Sequence, residues 1–138
     1  MDQSLRIAYA GTPEFAVPAL TSILNSQHRL LAVITQPDRK SGRGRKIQKS
    51  PVKQAITSVN VQLFQPDNIN QEDILNDLRS LNLDLIVVAA FGQIFSTELL
   101  KLPKFGCINI HASLLPRWRG ASPIQHAILC GDKQSGIT

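Results

Sequence analysis

The sequence contains few aromatic residues and few cysteines, and both shortages narrow the kinds of protein that it can encode. Phe, Trp and Tyr together make up 5% of the 138 residues, so any base-stacking surface would be sparse. Cys107 and Cys130 show no CxxC spacing and have no second His/Cys pair nearby. This pattern argues against a metal site and implies no disulfide scaffold. We expect both cysteines to be small, buried apolar residues in a reducing compartment, and we expect no bound metal.

Long apolar runs and targeting signals are absent as well. No stretch approaches the roughly 18 apolar residues that cross a bilayer, and the N-terminus lacks the apolar core of a signal peptide. We therefore expect a cytoplasmic protein that does not bind membranes. A chain of 138 residues suits one domain and leaves little room for a second.

The net charge of +5 is concentrated in one segment, residues 38–49, which we call the basic segment. It contains one acid, Asp38, and six basic residues: Arg39, Lys40, Arg43, Arg45, Lys46 and Lys49. Because residues 37–50 show no apolar periodicity, they are predicted to form a loop that is mobile before it binds a ligand. Concentrated positive charge suits contacts with phosphates, but a solvated basic loop is the alternative.

Short apolar runs rich in β-branched residues alternate with amphipathic segments along the chain. The runs predict strands near residues 5–10, 30–35, 61–64, 85–90 and 106–110. The segments between them predict helices near residues 17–25, 50–59, 70–81, 97–100 and 122–131. Thr12 and Asn70 are placed to cap helices. This order predicts a Rossmann-like α/β fold with an open, mostly parallel sheet and helices on both faces.

The segment Gly11-Thr12-Pro13-Glu14 follows the first predicted strand, at the edge where parallel sheets bind ligands. It could hold an anion at the start of a helix, but a tight turn between strand and helix explains it equally well. The segment does not match GxGxxG. A nicotinamide-binding domain is therefore disfavoured.

Asn109 and His111 stand at the end of the last predicted strand. Residues i and i+2 of a strand point to the same side, so an amide and a titratable imidazole would project together. Such a pair could stabilise an oxyanion that develops on a carbonyl. On residue types alone, a capped strand end is the commoner explanation of Asn-x-His.

The longer pattern N-I-H-A-S-L-L-P-R-W-R-G-A-S-P-I at 109–124 resembles the signature of the folate-dependent formyltransferases. The segments at 11–16, 37–53 and 89–96 are similar to that family's first loop, basic insertion and folate-pocket loop. The resemblance covers essentially the whole chain. The basic insertion is typical of the members that act on tRNA.

The resemblance implies that a formyl group passes from 10-formyltetrahydrofolate to the α-amino group of methionine on the initiator methionyl-tRNA. By matching motifs, Asn109 would donate a hydrogen bond to the formyl oxygen, and His111 would act as a cationic donor to the tetrahedral intermediate. The six basic residues of the basic segment would contact the tRNA. The folate would contact Gln93, Ile94, Phe95, Ser113, Leu114, Leu115 and Pro116. For Ile94 and Phe95, core packing is the alternative.

By the same resemblance, a catalytic aspartate should follow Thr138, and Asp132 is not assigned that role. We expect residues 1–138 to form an N-terminal formyltransferase domain that is incomplete at its C-terminal end, without the family's C-terminal barrel-like tRNA-binding domain. Such a piece would be a nearly inactive monomer. Two alternatives stay open: another folate-dependent formyltransferase, acting on a sugar nucleotide or on glycinamide ribonucleotide, and a non-catalytic RNA-binding module.

Overall fold

Two sheets are present in the part of the chain that the structure, a computed structural model, describes, which is residues 3–41, 44 and 46–111. The main sheet has the order β5-β2-β1-β6-β7, and the β1/β2, β1/β6 and β2/β5 pairs are parallel. Its strands and the two of the small sheet are β1 Arg6–Gly11, β2 Arg29–Ile34, β3 Arg39–Ser41, β4 Lys46–Gln48, β5 Gln62–Phe64, β6 Leu85–Ala89 and β7 Cys107–Asn109. The predicted open, parallel α/β sheet is confirmed.

The chain divides into two compact units, residues 1–108 and residues 109–138. Of the second unit, the structure describes Asn109, Ile110 and His111. Several sequence predictions therefore fall outside the described residues: the helix near 122–131, the folate contacts at 113–116, Arg43, Arg45 and Cys130.

Helices occupy four of the predicted positions, and a short 3-10 turn over Glu14–Ala16 precedes the first of them. They are α1 Val17–Leu24, α2 Pro51–Ala55, α3 Glu72–Ser80 and α4 Thr97–Lys101. The first helix begins where Pro18 falls in its first turn, which is the position that tolerates a missing N–H. The second helix is shorter than predicted, because Ile56 leaves the helical conformation and the chain continues in turns. None of the helices in the described residues is long and apolar enough to cross a membrane.

The predictions that Thr12 and Asn70 cap helices are wrong. Neither the 3-10 turn nor α3 has a side-chain cap at its N-terminus, whereas Ser50 and Ser96 cap α2 and α4 by accepting from backbone N–H groups. Thr12 and Asn70 instead bond to the loop that follows β6, as described below. Their short polar side chains satisfy loop backbone, which is the other role of such residues.

The prediction of an irregular loop over residues 37–50 is also wrong for much of its length. β3 and β4 pair in antiparallel register, with Arg39 opposite Gln48 and Lys40 opposite Ile47. Gly44, in the turn between them, has a φ of +87°, a conformation that glycine adopts without strain. We call residues 39–49, which contain β3, β4, their turn and Lys49 directly after β4, the basic hairpin. Hydrogen bonds between the two backbones hold the hairpin together, so it forms without an apolar pattern in its sequence.

Tyr9 lies in the centre of β1 and is fully buried. Its hydroxyl donates a 2.5 Å hydrogen bond to the carbonyl oxygen of Ala16, which is also fully buried. Burial raises the pKa of Tyr9 from 10.0 to about 12. Because the ionised form is the one that burial disfavours, the neutral hydroxyl stabilises the fold below pH 10.0, and this contribution declines as the pH rises towards 12.

Replacing Tyr9 by Phe should lower the free energy of unfolding at neutral pH by about 1–2 kcal/mol, since the Ala16 carbonyl loses its donor. The difference in unfolding free energy between the two proteins should shrink as the pH rises from 10.0 to 12. In this range the unfolded wild-type chain ionises its phenol while the buried phenol of the folded protein stays neutral, and the Phe variant has no such group. Urea unfolding at a series of pH values measures this. The lysines are common to both proteins and cancel in the difference. A gap that stays constant up to pH 12 would contradict the assignment.

Candidate functional site

A cavity of about 430 Å³ opens at the carboxyl ends of β1, β2 and β6. This is the edge where open parallel sheets receive ligands, and the described lining residues belong to the first unit. Three loops and the base of the basic hairpin line it, through Thr12, Pro13, Gln36, Pro37, Arg39, Gln48, Lys49, Ser50, Ala90, Phe91 and Gly92. The predicted ligand loop at 11–14 therefore contributes to a cavity.

The basic hairpin places two cations on the cavity wall, Arg39 and Lys49. Side chains alternate along a strand, so Lys40 lies on the opposite face of the ribbon from Arg39. Arg39, Lys40, Lys46 and Lys49 are all exposed. Among the predicted tRNA-binding residues that the structure describes, Arg39 and Lys49 line the cavity, whereas Lys40 and Lys46 do not.

An ion pair that was not predicted from the sequence fixes the base of the basic hairpin. The Lys53 ammonium lies 2.9 Å from the Asp38 carboxylate, and the Gln65 amide donates to the same carboxylate at 2.9 Å. These two hydrogen bonds, Lys53 first, lower the pKa of Asp38. Thr35, fully buried, and Ser50 share a 2.6 Å hydroxyl contact close by. Asp38 is the one acid of the basic segment, and that was the signal available in the sequence.

The loop after β6, residues 90–96, has an unusual backbone. Ala90 has a φ of +53° and Gly92 a φ of +96°. The conformation at Ala90 is uncommon for a residue with a side chain and is often found at functional sites. The Phe91 carbonyl accepts two hydrogen bonds, from the Thr12 hydroxyl at 3.1 Å and from the Gln36 amide at 3.2 Å. The loop is thus held in place by groups on other loops.

The side chains of the predicted folate contacts in this loop are used in different ways. Gln93 is committed to the protein: its oxygen accepts from Ile69 N–H at 2.7 Å, and its amide donates to Pro66 and to Gln36. Ile94 is 90% exposed, so the alternative of core packing is wrong for this residue. Phe95 is half-buried and stacks edge-on against Phe91, with ring centroids 6.1 Å apart, so packing does describe Phe95.

The two candidate catalytic residues belong to the second unit. Asn109 is the last residue of β7 and is exposed, and His111 is half-buried just beyond the strand. Their catalytic role stays a prediction. Cys107, which precedes them, is half-buried rather than fully buried, and burial raises the pKa of its thiol. Within the described ranges, His, Cys, Asp and Glu residues form no group that could hold a metal ion.

Gly92→Ala should destabilise the protein by about 1–2 kcal/mol more than Gly44→Ala. Both residues have positive φ, so both substitutions carry a similar backbone cost. A Cβ at Gly92 would in addition lie 2.9 Å from the Gln36 amide nitrogen, whereas one at Gly44 would meet nothing within 4 Å. Moving Gln36 aside breaks its hydrogen bond to Phe91. Denaturant unfolding of both variants measures the difference, and equal losses would contradict this packing.

Comparison with known proteins identifies relatives of the chain. Methionyl-tRNA formyltransferases from Legionella pneumophila (strain Paris) and Alcanivorax borkumensis are each 52% identical over 134 residues, which is 97% of this chain. The chain covers 43% and 41% of those two proteins, so it spans less than half the length of the curated relatives it matches.

Solved structures share the fold at lower identity. Glycinamide ribonucleotide transformylase 1 from Geobacillus kaustophilus has a TM-score of 0.74 at 22% identity, over 99% of this chain and 73% of that chain. A formyltetrahydrofolate deformylase from Pseudomonas syringae has a TM-score of 0.72 at 20% identity, over 99% and 45%. The family model described as formyl transferase matches residues 5–138. The chain therefore belongs to the formyl transferase family.

Proposed function

We propose that the protein containing this chain transfers the formyl group of 10-formyltetrahydrofolate to the α-amino group of methionine on initiator methionyl-tRNA, for translation initiation. The observation that carries this proposal is the position of the basic hairpin, which adds Arg39 and Lys49 to a cavity at the carboxyl edge of the sheet. Relatives that are 52% identical and are named methionyl-tRNA formyltransferase support it.

A nucleic-acid substrate explains the charge of the hairpin better than a small one. A tRNA end brings several phosphates, and each cation that approaches one contributes affinity through release of counterions. Glycinamide ribonucleotide or a sugar nucleotide would need fewer cations than this hairpin presents. A purely RNA-binding module would have no use for a cavity walled by strand-end loops. We propose that the aminoacyl end of the tRNA enters the cavity, with the basic hairpin along its phosphates.

The loop after β6 is the proposed folate contact, together with residues 113–116. Because the side chain of Gln93 is committed to other loops, its contact with folate would be made through the backbone. Ile94, 90% exposed, offers an apolar surface that a flat ring system could cover. The loop after β6, proposed to bind the formyl donor, and the basic hairpin, proposed to bind the acceptor tRNA, are therefore neighbours at one edge of the sheet. We propose no metal in the reaction.

The proposed chemistry is acyl transfer through a tetrahedral intermediate. The methionine amine attacks the formyl carbon, negative charge develops on the formyl oxygen, and the bond from that carbon to the folate nitrogen then breaks as the proton lost by the amine passes to that nitrogen. Asn109 would donate an N–H to the oxygen, and protonated His111 would donate a second hydrogen bond. A carboxylate located after Thr138 would complete the site, so we propose that residues 1–138 alone transfer little formyl. We further propose that the protein is a cytoplasmic monomer.

Reversing the charge at Arg39 or Lys49 in the full-length protein should weaken the binding of initiator tRNA and leave folate binding unchanged. For each variant, the slope of log K against log salt concentration should become shallower by about the amount that one phosphate contact contributes. Fluorescence anisotropy of labelled tRNA over a series of salt concentrations measures the slope. Arg29→Glu is the matched control, since Arg29 is an exposed cation at the opposite end of β2. An equal effect of Arg29→Glu would contradict the proposed interface.

Asn109→Ala and His111→Ala should each lower kcat/KM for formyl transfer by about 100-fold or more while the protein still binds both substrates. Single-turnover assays with charged initiator tRNA measure the rate, and equilibrium titration of a folate analogue measures binding. Asn60→Ala, at an exposed asparagine before β5, is the control for removal of an amide. Activity of either variant within a few-fold of the native protein would refute the assigned role.

A further inference from the structure

Gln36 lies between the two loops that the proposed function assigns to different substrates. It lies two residues after the end of β2, is half-buried, and lines the cavity. On one side its chain continues into the basic hairpin, and on the other its side chain crosses to the loop after β6.

The side-chain amide of Gln36 holds the loop after β6. Its nitrogen donates to the Phe91 carbonyl at 3.2 Å, and its oxygen accepts from the Gln93 amide at 3.1 Å. The close approach depends on Gly92, since a Cβ there would lie 2.9 Å from the same nitrogen. Both ends of the amide therefore bond to one loop, and its oxygen also accepts from the Arg39 guanidinium of the basic hairpin at 3.5 Å.

The backbone of Gln36 is fixed to the base of the basic hairpin and to the segment that follows β1. Its N–H donates to the Thr12 hydroxyl at 3.3 Å, and its carbonyl accepts from the Gln65 amide at 3.4 Å. The same Gln65 amide donates to Asp38, which forms the ion pair with Lys53. Displacement of Gln36 would thus disturb the entry to the hairpin as well as the loop.

We propose that Gln36 is a positioning residue that ties the loop after β6 and the base of the basic hairpin into one unit, so that the folate-binding and tRNA-binding surfaces are ordered together. The assignment of a substrate to each surface rests on the proposed function. The mechanical link does not, because it concerns hydrogen bonds within the ligand-free chain. Ordering both surfaces in advance lowers the entropy lost when either substrate binds.

Two other residues hold only one of the surfaces and provide matched controls. Asn70 bonds the loop after β6 alone: its amide donates to the Ile94 carbonyl at 2.9 Å, and its oxygen accepts from Ser96 N–H at 2.8 Å. Lys53 holds the hairpin base alone, through Asp38. Asn70→Ala and Lys53→Met therefore separate the two effects that Gln36→Leu should combine.

Hydrogen exchange in the ligand-free chain tests the link independently of function. Gln36→Leu should raise amide exchange about fivefold both in residues 90–96 and in residues 38–41 and 46–49, as expected when about one hydrogen bond of net stability is lost at each surface. Asn70→Ala should raise it in residues 90–96 only, and Lys53→Met in the hairpin only. Faster exchange in a single region of the Gln36→Leu protein would overturn the proposal.

Binding to the full-length protein tests the functional consequence. Gln36→Leu should weaken the binding of both a folate analogue and initiator tRNA about fivefold. Asn70→Ala should weaken the binding of the folate analogue only, and Lys53→Met should weaken the binding of the tRNA only. If Gln36→Leu does not fold, Gln36→Glu replaces it, since it keeps the acceptor for Gln93 but loses the donor to Phe91. If the Gln36 variant binds only one of the two ligands more weakly, the link is refuted. If the native protein binds neither ligand, the proposed function fails while the exchange result still decides the link.

Discussion

Parallel pairing of β1 with β2 on one side and β6 on the other is the constraint on which the rest of the structure depends. Parallel strands end at the same edge, so the loops after these three strands must meet there. Small residues make the pairing compact: Ala8 and Ala10 in β1 and Ala32 in β2 are fully buried. Gly11 ends β1 where an added Cβ would lie 2.8 Å from the Ala89 carbonyl oxygen. The cavity is a consequence of this arrangement.

Loops that meet at a strand edge lack the regular hydrogen bonds of a sheet, and polar side chains supply them. Thr12, Gln36, Gln93 and Asn70 together satisfy carbonyl and N–H groups of the loop after β6 and of its neighbours. These bonds fix loop shapes that backbone pairing alone would leave open. The same edge also carries the basic hairpin, so hydrogen-bonded loops and positively charged side chains line one cavity. A transferase that brings two substrates together requires such a preorganised site.

The periodicity of apolar residues was enough to predict the five strands of the main sheet, the positions of the four described helices and the fold class, because burial against a sheet sets that periodicity. Long-range polar contacts were not predictable. Thr12 and Asn70 are residue types that often cap helices. Only the folded chain shows that their partners lie in a loop far away in sequence. The basic hairpin was predicted as a loop, since a short antiparallel ribbon held by backbone bonds leaves no apolar pattern. The resemblance supplied the roles of Asn109 and His111, which remain predictions.

The most direct test of the central claim is to identify the acceptor of the formyl group. The full-length protein would be given 10-formyltetrahydrofolate together with initiator methionyl-tRNA, glycinamide ribonucleotide and an amino-sugar nucleotide in one mixture, and mass spectrometry would locate the formyl group after a single turnover. The account predicts formyl on the α-amino group of the tRNA-bound methionine and none on the other two compounds. Formyl found on either small acceptor, or on none of the three, would contradict it.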